Sequence, residues 1–168
     1  MAKENRYYLA YGSNLNLNQM LTRCPNSKKV GTALLENYRL MFKRSQTGYY
    51  LTIEKANGFK VPIGVFLVDE YDERSLDRYE GFPKWYQKIG IKVELIDNDG
   101  NKRLIDAFYY ALPETKPHGA PSDEYVKRVE KGYQDFGFDS SLLYEALEYS
   151  KNNNWLTNVN LYIIMELP

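Results

Sequence analysis

Turn-forming residues interrupt this chain at short intervals, and most of the apolar runs between them have the length of a strand, not of a helix. Helical spacing appears over only four stretches, at about residues 17–24, 69–80, 122–136 and 140–150. This pattern predicts an α+β fold, a mixed β-sheet or small β-barrel with flanking helices. The predicted strands are Arg6–Tyr11, Val30–Met41, Tyr49–Ile53, Val61–Val68, Lys88–Ile96, Arg103–Leu112 and, in the tail, Val159–Met165.

Two segments of the sequence are typical of hairpin turns. Asn57-Gly58 pairs two residues that tolerate positive φ, and we expect a hairpin turn there, between the predicted strands Tyr49–Ile53 and Val61–Val68. Asp97-Asn98-Asp99-Gly100 has the same turn chemistry between two apolar runs.

The length of 168 residues favours one domain, and no repeat or linker divides the chain. Residues 1–168 are therefore interpreted as a single domain. Residues 151–168 are interpreted as a C-terminal extension, whose apolar run would add a strand to the sheet or pair with another subunit. A homodimer is one expectation that follows.

The charge balance argues against polyanionic partners. Lys and Arg total 22 and Asp and Glu total 22, so no net field attracts nucleic acid or anionic membranes. No apolar run reaches the roughly 18 residues needed to span a bilayer, and we expect a cytoplasmic protein. One cysteine, Cys24, and one histidine, His118, supply neither an internal disulfide nor a zinc site, so no metal or cofactor is expected.

The first candidate site is the turn Tyr11-Gly12-Ser13-Asn14-Leu15, which links a predicted strand to a predicted helix. Successive backbone N–H groups in such a turn can point at one carboxylate or developing oxyanion. The alternative is an ordinary helix cap provided by Ser13 or Asn14.

The second candidate is Glu80, at the predicted C-terminal end of a helix that Gly81 terminates. A carboxylate there faces the negative end of the helix dipole, and surrounding aromatic residues would exclude water. Both effects raise the pKa of a carboxyl group toward neutral, where it can accept and return a proton. The alternative is a solvated glutamate beside a turn.

These two motifs, about 65 residues apart, resemble the γ-glutamyl cyclotransferase family. The resemblance implies that the amides of the Tyr11–Leu15 turn bind the substrate and that Glu80 is the acid/base. It also implies pocket tyrosines, which correspond to Tyr86, Tyr109 and Tyr125, although each of these can equally be a packing residue. The resemblance extends over about residues 6–149 and leaves the tail without a counterpart.

The implied reaction is the attack of a γ-glutamyl group's own α-amine on its γ-carbonyl, which releases an amine and leaves 5-oxoproline. The expected partner is therefore a small γ-glutamyl molecule. Two alternatives remain open from the sequence: a cyclotransferase acting on γ-glutamylamines or isopeptides, and a non-catalytic binding domain of the same fold. Arg44 is interpreted as a solvated arginine, with contact to a substrate carboxylate as the alternative, and His118 is interpreted as a surface histidine.

Overall fold

The computed structural model describes residues 3–154 and consists of a five-stranded barrel with four α-helices outside it. The strands are β1 (Arg6–Ala10), β2 (Lys28–Arg44), β3 (Tyr49–Val68), β4 (Gln87–Asp97) and β5 (Lys102–Ala111). The helices are α1 (Leu17–Arg23), α2 (Glu70–Glu80), α3 (Asp123–Phe136) and α4 (Ser141–Asn152), and a 3₁₀ helix covers Ser13–Leu15. The predicted α+β fold with a small barrel is confirmed.

The barrel closes in the order β1-β3-β2-β4-β5, and β1 completes it by pairing parallel to β5. All other neighbouring pairs are antiparallel. Tyr8 shows the closure, because it pairs with Phe66 of β3 on one side and with Phe108 of β5 on the other. The turn that follows β1 therefore emerges between two long strands at one end of the barrel.

The predicted hairpin turn at Asn57-Gly58 is wrong. Both residues lie inside the continuous strand β3, and the chain reverses instead at residues 45–48, where the N–H of Ser45 donates to the carbonyl of Gly48. Gly58 does adopt a positive φ of 85°, opposite Asn37, whose side chain accepts the Gly58 N–H. The Asn-Gly pair thus forms an irregularity within a ladder, where the register shifts near Glu36 and Tyr38. The second predicted turn, between β4 and β5, is confirmed.

The core fills the barrel and continues beneath α3 and α4. Tyr133, Phe42, Phe108 and Leu9 are among its largest fully buried side chains. In the described part of the chain, no helix is long and apolar enough to cross a membrane. Lys151 and Asn152, assigned to the extension by the sequence, belong to α4. The predicted tail strand lies outside the described residues.

Candidate active site

The turn after β1 is held in place by its leucine. The Leu15 side chain is fully buried, and its atoms would lie within 2.8 Å of a Cβ at Gly64 of β3 and 2.6 Å of one at Gly132 of α3. Only glycine permits so close an approach from both sides. Strand β3 and helix α3 therefore fix the position of the 3₁₀ helix.

Leu15 does not line the cavity, and its N–H donates to the carbonyl of Gly12. The expectation that its amide serves a substrate is therefore wrong, since the 3₁₀ turn already uses that donor. Ser13 and Asn14 stand at the start of the turn, where N–H groups have no partner within the helix. Among the described hydrogen bonds, neither of these two N–H groups has an acceptor.

Glu80 is the last residue of α2, as predicted. Gly81 follows in the left-handed conformation with φ 65°, and the N–H of Phe82 returns to the carbonyl of Asp77 at 2.9 Å. This is the usual way in which a glycine stops a helix. The sharp stop directs the chain away from the helix axis and leaves the Glu80 carboxyl in a cavity.

The cavity has a volume of about 310 Å³, within the range of small-molecule sites. It brings Glu80 together with Tyr11, Gly12, Ser13 and Asn14. Tyrosines from several elements complete the wall, namely Tyr8, Tyr50, Tyr79, Tyr86, Tyr110 and Tyr125. The two sequence motifs therefore meet in one place.

Burial raises the pKa of Glu80 from 4.5 to about 7, and the nearby positive charge of Arg23 partly opposes this shift. Burial, and after it the charge of Glu80, also raise the pKa of Tyr8, Tyr11 and Tyr86. These hydroxyls stay protonated near neutral pH. The site thus combines one carboxyl group that can titrate near pH 7 with neutral hydrogen-bonding groups.

Arg23 connects the turn to α2, and the sequence analysis did not identify it. Its guanidinium donates to the side-chain oxygen of Asn14 and lies over the ring of Tyr79, with its carbon 3.3 Å from the ring centroid. The Asn14 amide in turn donates to Tyr8 at 2.9 Å, and the Ser13 hydroxyl is 3.1 Å from that of Tyr79. No spacing rule signals this role, because Arg23 sits at the end of a helix where a solvated arginine is common.

Tyr86 and Tyr125 line the cavity, as expected, and both are anchored to Leu51. The Tyr86 hydroxyl donates to the Leu51 carbonyl at 3.1 Å, and the Leu51 N–H donates to the Tyr125 hydroxyl at 3.3 Å. A Cβ at Gly12 would come within 3.3 Å of the Tyr125 hydroxyl. Tyr125 therefore lies directly against the turn.

Tyr109 is not part of the cavity, so its assignment to the site was wrong. Successive residues of a strand point to opposite faces, and Tyr110 occupies the cavity side of β5 instead. The Tyr110 hydroxyl donates to Asp77 at 2.5 Å, while its carbonyl accepts from the Tyr11 hydroxyl. Tyr109 instead lies near Tyr38, and burial raises its pKa.

Two other sequence candidates lie away from the cavity lining. Arg44 is exposed and its guanidinium stacks on the ring of Tyr49, so it is not placed to meet a ligand in the cavity. His118 forms an isolated antiparallel β-bridge with Lys43 and packs its ring against Tyr149. It is half-buried, with its Nδ1 atom buried, and is therefore not the surface histidine that the sequence indicated. Within residues 3–154, no three His, Cys, Asp or Glu side chains converge as a metal-ligand set.

The chain is similar to known proteins in sequence and in fold. A family model described as "Gamma-glutamyl cyclotransferase, AIG2-like" matches residues 8–130. The chain is 28% identical over 158 residues to a bovine gamma-glutamylcyclotransferase, an alignment that covers 90% of this chain and 78% of the relative. It is 29% identical over 142 residues to the human protein of that name, covering 80% and 73% respectively.

A solved structure entitled "Gamma-glutamyl cyclotransferase" superposes with a TM-score of 0.71 at 27% identity, and the alignment covers 88% of this chain and 85% of that one. Residues 8–130 include both the turn after β1 and the end of α2. This chain belongs to the γ-glutamyl cyclotransferase, AIG2-like family.

Proposed function

We propose that this chain is a γ-glutamyl cyclotransferase that converts a γ-glutamyl compound to 5-oxoproline and a free amine. The observation that carries the proposal is the position of Glu80 in one cavity with Gly12, Ser13 and Asn14. A carboxyl group whose pKa lies near 7 can exchange protons there, and backbone donors lie on the same wall.

In the proposed reaction, the neutral α-amine of the glutamyl group attacks its own γ-carbonyl carbon. A new carbon–nitrogen bond closes the five-membered ring, and the bond from that carbon to the leaving nitrogen breaks. The Glu80 carboxylate accepts the proton that the attacking nitrogen loses and delivers it to the leaving nitrogen. The nucleophile belongs to the substrate, so the proposed reaction uses no enzyme nucleophile, metal or cofactor.

The enzyme's part is then to hold the glutamyl chain folded and to transfer protons. Correct orientation contributes up to about 7–11 kcal/mol to such intramolecular reactions. The N–H groups of Ser13 and Asn14 supply donors for the glutamyl half or its developing oxyanion. The buried tyrosines surround that half with fixed hydrogen-bonding groups in place of water.

The test is a panel of γ-glutamyl dipeptides and amines, with products identified by mass spectrometry. We expect 5-oxoproline, and we expect an N-acetylated γ-glutamyl dipeptide to be inert because its nitrogen is no longer nucleophilic. Glutamate or N-acetylglutamate as the main enzyme-dependent product would instead indicate a hydrolase. Binding without any turnover would favour a non-catalytic domain of the same fold.

A further inference from the structure

Helix α2 carries three carboxylates along one face, up to its end. Glu73, Asp77 and Glu80 follow the spacing that places side chains on the same side of a helix, over about two turns. Glu80 lines the cavity, whereas the other two contact one cation, the ammonium group of Lys88 on β4. The Lys88 nitrogen lies 2.9 Å from a Glu73 oxygen and 2.7 Å from an Asp77 oxygen. One lysine of the barrel therefore contacts the two carboxylates that precede Glu80 on that face.

These ion pairs are shielded from water. The side chain of Lys88 is 16% exposed, and those of Glu73 and Asp77 are 15% and 27% exposed. Further along β4, the pair between Lys92 and Asp106 is 64% and 87% exposed. Solvent and salt screen an exposed pair and leave it little net value, but they screen a shielded pair much less. The contacts of Lys88 should therefore restrain α2 more strongly than an ordinary surface pair would.

Asp77 links these ion pairs to the cavity wall and to the end of the helix. Its carboxylate accepts from the Tyr110 hydroxyl at 2.5 Å, and its backbone carbonyl accepts from the N–H of Phe82 at 2.9 Å. The ammonium group of Lys88 lies over both rings, 5.6 Å from the centroid of Tyr110 and 4.8 Å from that of Phe82. Lys88 thus joins β4, the cavity side of β5 and the turn that ends α2.

Helix α1 holds the opposite side of α2. The Ser75 hydroxyl donates to the Arg23 carbonyl at 2.7 Å, and the Arg23 guanidinium lies over the ring of Tyr79. Successive residues of a helix are rotated by about 100°, so Ser75 and Tyr79 lie roughly opposite the carboxylate face. With α1 on one side and Lys88 on the other, the rotation of α2 about its axis is fixed. The direction in which Glu80 projects is fixed with it.

We propose that Lys88 is a positioning residue for the reaction and acts through Asp77 to hold the Glu80 carboxyl group in the cavity. The inference rests on the proposed function and concerns the placement of its acid/base. Without the ammonium group, the carboxylates of Glu73 and Asp77 repel each other one turn apart, and Arg6 balances only the first. The end of α2 should then move away from β4 and displace Glu80. A displacement of about 1 Å can lower turnover on the order of 10²-fold.

The first test compares two substitutions of this lysine. Lys88→Met keeps the length of the side chain and removes its charge. Its kcat for 5-oxoproline formation should fall at least about tenfold, with KM within about twofold of wild type, because the turn after β1 still holds the substrate. Lys88→Arg keeps the charge and should recover kcat to within about threefold of wild type. Each variant is assayed at a temperature where circular dichroism shows it folded.

Three results of this comparison would overturn the positioning role. These are an unchanged kcat in Lys88→Met, a change confined to KM, and a Lys88→Arg protein no more active than Lys88→Met.

A double-mutant cycle tests the route through Asp77. Asp77→Asn should lower kcat, and Lys88→Met should add little in that background, because the contact is already lost. Glu73→Gln should have a smaller effect, since Glu73 lies one turn further from Glu80. Lys92→Met removes a charge from an exposed pair on the same strand and should keep wild-type kcat. Additive losses at positions 77 and 88 would overturn the route, because the two residues would then act independently.

Hydrogen exchange separates failure of this inference from failure of the proposed reaction. Lys88→Met should speed the exchange of amides at positions 77–85, where the N–H of Phe82 is bonded to the carbonyl of Asp77. The end of α3 at Gly137 has the same kind of glycine stop and should exchange as in wild type. This local change, in a protein whose wild type forms no 5-oxoproline, would support the anchoring of α2 by Lys88 and count against the reaction alone. Wild-type exchange at positions 77–85 would overturn the anchoring, whatever the turnover.

Discussion

The guanidinium of Arg23 lies over the ring of Tyr79, with the guanidinium carbon 3.3 Å from the ring centroid. Tyr79 directly precedes Glu80 in the sequence. The same guanidinium donates to the side chain of Asn14. One side chain at the end of α1 thus contacts both the turn and the helix that carries the carboxyl group. Its charge favours the ionised form of Glu80 and lowers a pKa that burial has raised.

Arg23→Gln should therefore raise the pKa of Glu80 above its wild-type value of about 7. If the carboxylate is the active form, the acidic limb of the kcat/KM profile should move to higher pH and activity at pH 7 should fall. Arg74→Gln, at an exposed position of α2, is the control and should leave the limb in place. Loss of activity at every pH without movement of the limb would assign Arg23 a purely structural role.

The raised pKa of Glu80 should also cost stability at alkaline pH. Between about 4.5 and 7 the folded state binds a proton that the unfolded state has lost, so the free energy of unfolding decreases as pH rises through this window. Glu80→Gln removes this loss and should stabilise the protein by about 1–3 kcal/mol at pH 8, with little effect at pH 4. Urea unfolding at both pH values measures the free energy of unfolding of the variant and of wild type. A variant no more stable than wild type at pH 8 would contradict the burial of the Glu80 carboxyl group.

Gly81→Ala should destabilise the protein and reduce activity, because it disturbs the residue that follows Glu80. Gly137→Ala is a close control, since both glycines end helices with φ of 65° and 70°. An added Cβ meets Trp85 at 2.9 Å at position 81 but meets nothing within 4 Å at position 137. Each change should lower the free energy of unfolding by about 1–2 kcal/mol, because alanine disfavours the left-handed backbone conformation. Gly81→Ala should lower it further and should also reduce turnover. Equal losses in the two variants would show that contact with Trp85 is unimportant.

Tyr110→Phe should lower kcat/KM severalfold, about the effect of losing one hydrogen bond, because its hydroxyl holds Asp77 at 2.5 Å behind the cavity wall. Tyr109→Phe should leave kcat/KM unchanged, because that ring lies away from the cavity. Steady-state kinetics of the two variants would compare adjacent positions of one strand. The opposite result would restore the assignment made from the sequence.

The contrast between these tyrosines shows which site residues the sequence could identify and which it could not. Glu80 was placed correctly because Gly81 is a local stop signal, and the turn because Gly12 separates a strand from a helix. In β5, aromatic residues occupy both faces at positions 108–110, so alternation could not identify which tyrosine faces the site. Asn57-Gly58 has the local chemistry of a turn, but long-range pairing with β2 keeps it within a strand.

Arg23 was missed for another reason. It contacts Tyr79, which is distant in sequence, and no local pattern indicates such a contact. The expectations of a single domain and of a homodimer stay predictions, and the described residues do not test them.

The turnover of Glu80→Gln tests the central claim most directly. The amide keeps the shape of the side chain but cannot cycle a proton, so kcat for 5-oxoproline formation should fall by at least about 10²-fold, with substrate binding retained. Glu70→Gln, at the exposed start of the same helix, should keep wild-type kcat. A Glu80→Gln protein that is folded, binds substrate and forms 5-oxoproline at a near-normal rate would remove Glu80 from the mechanism.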